Sequence, residues 1–249
     1  MENKLKNKII FTIFFFSGIS GLIYETVWLR ILSRILGCTV YATSIVISAF
    51  MLGLALGSYY IGRRADKFKR IIRAYATLEI FVGITAFLVF ISLNGLTGMF
   101  KNIYQSVYEN KTVFLFIQAI IVFIALVIPT FLMGGTLPIL GAAIKKHKGS
   151  FARNIGNLYG LNTFGAVFGV LLSGFITIGS IGELNTVLIG VVINFIVGIV
   201  ALILLDKDFS DDKNENTEWK INIEERISIY SDSVRRAVLI GYSLIGFSS

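Results

Sequence analysis

Six long apolar stretches separated by short polar ones set the rhythm of this chain: residues 9–24, 40–61, 71–93, 112–133, 158–178 and 186–205. Each is close to the roughly 20 residues that a helix needs to cross a bilayer's hydrocarbon core. A seventh stretch, 237–249, is apolar too, but its helical rise of about 20 Å falls short of the ~30 Å core. The pattern predicts an all-α, polytopic membrane bundle of six transmembrane helices plus the start of a seventh, in a chain truncated inside that span. Between them, residues 206–236 are polar, mixed in charge and free of Gly and Pro. They read as a cytoplasmic linker with a short amphipathic helix. The expected division is therefore a membrane bundle over 1–205, a linker over 206–236 and a seventh-span start over 237–249.

Composition agrees. Hydrophobic residues make up 55% of the 249, charged residues only 15%, and mean hydropathy is +0.78. A soluble domain carries roughly 25% charged residues. The net charge of +8 would suggest nucleic acid in a soluble protein, but here its distribution explains it. With a cytoplasmic N-terminus, nineteen of the 23 Lys and Arg fall on one side, leaving Arg30, Arg34, Lys101 and Lys111 opposite. That asymmetry predicts an N-in, multi-pass protein of the plasma or inner membrane whose partner is the lipid bilayer, with no nucleic acid. A cleaved signal peptide over residues 1–25 is the competing reading, but "SGISG" lacks a clear A-x-A site. The single Cys38 cannot form an internal disulfide, and the single His147 has no neighbours suited to a metal. No metal or other cofactor is expected.

Ionisable groups inside apolar runs are the natural candidates for function, because burying them is costly. Glu79 stands in the third run, and Gln118, Asn162, Thr163 and Asn194 are the clearest other polar positions. Glu79 reads either as a cation site or as a structural pair with Arg63 or Arg73. In "YETVWLRILSRILG", Arg30 and Arg34 lie four apart on one helical face, with Trp28, Ile31, Leu32 and Ile35 apolar. That spacing predicts an interfacial turn at headgroup level. Glu25 fits no such turn; it needs a partner such as Arg30 or a neighbouring helix, or an aqueous vestibule where it would hold a cation.

Small residues four apart mark helix contact faces in lipid. Gly53 and Gly57 form one such pair, and Gly165, Gly169 and Ser173 another. They read as tight packing or as a rocking interface. Both prolines fall in "PTFLMGGTLP", Pro129 to Pro138, which predicts a bent or ended helix with freed carbonyls. The alternatives are a plain helix terminus and the lining of a cavity or gate.

The junction "GRRADKFKR", with Gly62, Asp66, Lys67 and Arg70, resembles the loop signature of the major facilitator superfamily, departing from it at Lys69. That resemblance implies a gate-holding salt bridge or helix-end role for Asp66. Four stretches together, "SGISGLIYETVWLRIL", "FMLGLALGSYYIGRRAD", "PTFLMGGTLPIL" and "GNLYGLNTFGAVFGVLLSGF", resemble the membrane domain of fused major-facilitator/spermidine-synthase-like proteins. The likeness covers nearly all of 9–205. It implies a major-facilitator-like half, with a second membrane half and a soluble aminopropyltransferase-like domain as missing partners. "GYSLIGFSS" at the end resembles "FFSGISG", as if a second copy of the Tyr24-Glu25 motif were to follow.

No catalytic residues are assigned. The chain shows neither a nucleophile–base set nor a glycine-rich strand–turn–helix with a downstream acid. The expected function is a transporter-like half that moves or delivers a small amine or polyamine, with Glu25, Glu79 and Asn162 as substrate contacts. The alternative is a non-transporting membrane anchor for an aminopropyltransferase-like domain.

Overall fold

The computed structural model describes residues 2–106, 111–145 and 151–205, with side chains over 8–96, 112–144 and 153–205. The expected linker, the seventh-span start and His147 lie outside the described residues. All secondary structure among the described residues is helical: α1 (Glu2–Leu36), α2 (Thr39–Ala65), α3 (Ile71–Ser106), α4 (Lys111–Lys145), α5 (Phe151–Leu171) and α6 (Ile178–Leu205), with a π-helical segment, Leu172–Thr177, between the last two.

Among the described residues, five helical runs are long and apolar enough to cross a membrane: Lys8–Leu36, Thr39–Ala65, Ile71–Leu96, Thr112–Ile144 and Arg153–Leu205. The last takes in both the fifth and sixth expected spans. It is 53 residues long, about 80 Å if it were straight. Gly182 interrupts it with φ 83° and ψ 173°, a conformation open to glycine. Across that break the Thr186 hydroxyl donates to Thr177 Oγ1 at 3.0 Å. At the other chain reversal near this end, Gly37 takes φ 63° between α1 and α2, the usual left-handed end of a helix.

The dominant helix contacts pair α2 with α4, α1 with α5 and α3 with α6, while α1 also meets α6. Two apolar cores result. One gathers Ile10, Ile13, Tyr75, Leu140, Leu158 and Leu205, near the ends that carry most of the basic residues. The other gathers Trp28, Leu32, Val46, Val89, Leu126 and Val187 at the opposite end. Between them the helices of the pairs α1–α6, α3–α6 and α2–α4 carry small or polar residues: Ser17, Gly18, Ser20 and Gly21 on α1, Gly53 and Gly57 on α2, Glu79 on α3, Thr130 and Gly134 to Thr136 on α4, Gly190 and Asn194 on α6.

Two sequence expectations are corrected. Trp28, Ile31 and Leu32 are fully or nearly fully buried in the second core rather than forming an outward apolar side. Helix α1 runs unbroken to Leu36, so its last turns are wrapped by α2, α3 and α6. Likewise Pro129 and Pro138 lie inside α4 and do not end it.

Candidate functional site: a polar layer between two apolar cores

Glu79 sits at the centre of the layer, 0% exposed. Its Oε1 accepts from Ser17 Oγ on α1 at 2.7 Å and its Oε2 from Asn194 Nδ2 on α6 at 2.6 Å. The Tyr24 hydroxyl donates to Asn194 Oδ1 at 2.8 Å, which fixes the amide with its nitrogen toward Glu79. Gly190 makes room for this. A β-carbon there would stand 2.7 Å from the Tyr24 ring. Tyr75, one turn before Glu79 on α3, is fully buried beside Glu79 and Ser17, and its hydroxyl forms no hydrogen bond of normal geometry. The suggested pairing of Glu79 with Arg63 is not what forms, because the Arg63 guanidinium lies over the Tyr59 ring, 4.7 Å from its centre. Arg73 is exposed while Glu79 is sealed.

Glu25 faces elsewhere. It follows Gly18 and Gly21 along one stripe of α1, spaced three and four residues apart. That stripe meets α5 and α4: a side chain at Gly18 would run into the backbone of Asn162, and one at Gly21 would touch Met133 Sδ at 3.9 Å. Glu25 is partly buried and, among the described residues, has neither a hydrogen bond nor an ion pair. Asn162 is also partly buried on this side, about 10 Å further along α1 by helical rise. The structure thus brings Glu25 and Asn162 to one side of α1 and sets Glu79 on another.

Arg30 and Arg34 have a partner that their own stretch of sequence does not announce. Glu183, next to the Gly182 break, takes Arg30 Nε at 3.2 Å and Arg34 Nη2 at 2.5 Å. The carboxylate side chain is 15% exposed and the guanidiniums 56% and 61%. Glu183 is the sole acidic residue of 154–205, a signal that could have singled it out. Ser17 and Tyr24 carried no comparable signal.

The α2–α4 seam is closer still. Side chains at Gly53 or Gly57 would overlap Thr130 and the Phe131 backbone, and one at Gly134 would overlap Leu54. Gly165 and Gly169 of α5 meet the backbone of Phe15 and Ile19 on α1 in the same way. Near the basic end, a pocket of about 420 Å³ opens between α2, α4 and α5, lined by Ser58, Gly62, Asp66, Pro138, Gly141 and Ile155 among others. Gly62 packs against Pro138, Asp66 caps the end of α2, and Lys67 and Arg70 are exposed in the turn that follows. The Arg70 carbonyl accepts the Ala74 amide at 3.1 Å, starting α3. Among the described residues no group of three or more His, Cys, Asp or Glu is placed to hold a metal.

Residues 9–249 match the family model of the Major Facilitator Superfamily. No curated protein and no solved structure matches the chain.

Proposed function

We propose, from the premise that this chain belongs to the Major Facilitator Superfamily, that it forms one membrane-embedded half of a carrier for a small amine, with Glu25 as the amine's contact. The observation that carries this is the Glu25 carboxylate, partly buried and unpaired among the described residues on the stripe of α1 that meets α4 and α5. An ammonium group would supply the charge-assisted partner that no described residue gives it. Asn162 on the same side would add a polar contact.

In this reading the Gly182 break divides the last helical run into two crossings, giving six spans with the N-terminus cytoplasmic in a plasma or inner membrane. The basic residues gathered at one end support that orientation. Gly62, Asp66, Lys67 and Arg70 would serve as the cytoplasmic gate. The glycine seams would give the half its tight internal packing, and transport would follow from rocking of this half against a second one.

The four motif stretches favour a second reading, in which the bundle anchors a spermidine-synthase-like aminopropyltransferase domain and transports nothing. Gradient-driven uptake of labelled polyamine into proteoliposomes of the intact protein separates the two. Uptake is expected, with Glu25→Gln lowering it about tenfold or more, the effect of losing one charge-assisted contact. Absence of uptake by the wild type across a series of amines would sink the carrier reading.

A further inference from the structure

The Glu79 cluster is built differently from the Glu25 stripe, and its geometry points to a different cargo. A carboxylate offers about four acceptor positions, and Ser17 and Asn194 fill two of them. Beside it stands the Tyr75 hydroxyl, fully buried and without a hydrogen bond of normal geometry. An orphaned polar group in such a place calls for an explanation. A hydroxyl can rotate to donate or to accept. Next to an ionised Glu79 it donates its proton into a free acceptor position, and next to a protonated Glu79 it receives the new O–H. Asn194 has no such freedom, because Tyr24 pins its amide with the nitrogen toward Glu79.

We infer that Glu79 is a proton-binding site of the bundle, with Tyr75 as the positioning hydroxyl that keeps the carboxyl hydrogen-bonded with and without its proton. The proton comes from water onto a Glu79 oxygen; one O–H bond forms, the carboxylate's charge is cancelled, and release to water reverses the step. The titratable groups facing Glu79 are Tyr24 from α1 and Tyr75 from its own helix. Helix α6 presents the Asn194 amide and has no ionisable side chain from Leu184 to Leu205, and α4 has none from Thr112 to Ile144. A proton therefore changes the charge of this layer by one full unit, with no cation among its described neighbours to offset it.

The location gives that change a consequence. Glu79 links α1, α3 and α6 at the level where both apolar cores stop. A neutral carboxyl is far less costly to enclose than a carboxylate, so proton binding favours the closed contact of the three helices and release favours one that admits water. As a coupling device this rests on the carrier reading, but proton binding itself does not, and it can be read without transport.

The test is infrared difference spectroscopy of the full chain in lipid nanodiscs, titrated from acid to alkaline pH. The expected result is a carbonyl stretch of a buried, protonated carboxyl group that titrates away and is missing from Glu79→Gln. Tyr75→Phe should keep the band while moving both its frequency and its titration midpoint, since the carboxyl loses one partner. That variant retains Glu79, so it keeps the question open to measurement even where Glu79→Gln folds poorly. A carboxylate spectrum at every pH overturns the inference, as does a band that responds to sodium and not to pH. A titrating band unmoved by Tyr75→Phe removes Tyr75 from it.

Discussion

The Ser58 hydroxyl of α2 donates at 2.8 Å to the carbonyl of Gly134 in α4, the acceptor that Pro138 leaves without its amide four residues on. A helix interrupted by proline survives in a membrane only if its freed carbonyl finds another donor. Here a neighbouring helix supplies it, and glycine at 53, 57 and 134 lets that helix come close enough.

Ser58→Ala should therefore destabilise the bundle by about 0.6–1.7 kcal/mol, the range for interhelical hydrogen bonds in membranes. Pro138→Ala restores the intrahelical amide and should remove most of that loss when combined with it. Equilibrium unfolding of the single and double variants forms the cycle. Strict additivity would mean that the hydroxyl does not stand in for the missing amide.

The glycines sort into two groups that a thermal melt can tell apart. A side chain at Gly57 meets the Phe131 backbone and the Gly134 α-carbon, neither of which can swing aside. Gly57→Val should cost several kcal/mol or prevent assembly, by the overpacking that dense cores do not absorb. Gly160 has nothing near its open side, and Gly160→Ala should be neutral or stabilise by up to about 1 kcal/mol through helix propensity. Equal effects at the two sites would contradict the seam.

How much of this was legible in the sequence follows from the range of each interaction. Apolar run length is local, so the helices and the family resemblance could be read directly. Glu79 stood out as a charge in an apolar run, but its partners Ser17 and Asn194 lie 62 and 115 residues away. No spacing rule connects them. For Arg30 and Arg34 the local sequence offers only a four-residue spacing; Glu183, 149 residues from Arg34, becomes their partner beside the Gly182 break. The Gly134 carbonyl could be counted from Pro138, whereas its donor on α2 could not. The burial of Trp28 is not legible, because an aromatic beside two arginines looks alike on a lipid-facing turn and inside a packed bundle.

The ion cluster gives a salt-dependent prediction. One carboxylate, mostly covered, serves two guanidiniums that are more than half exposed. Glu183→Gln should cost only about 0.5–1 kcal/mol, because exposed partners are screened. Added salt should lower the unfolding midpoint of the wild type more than that of the variant. If both respond equally to salt, the cluster contributes no measurable electrostatic stability.

Glu25 makes the opposite prediction from the paired polar groups of the bundle. Ser17, Tyr24, Asn194 and Glu183 all have partners, so their removal should weaken the fold. Glu25 has none among the described residues, though it is partly buried. An unpaired carboxylate in such a position opposes folding, and a protein keeps one where activity requires it. Glu25→Leu should therefore hold or raise stability, by up to about 2 kcal/mol, the usual yield of relieving one such site. The same substitution should abolish amine uptake in proteoliposomes. A destabilised variant would show that Glu25 has a structural partner after all, while a stable variant with normal uptake would remove it from the substrate path. Stability gained together with uptake lost is the outcome that ties this carboxylate to transport, because only a group held unpaired for a ligand links the two.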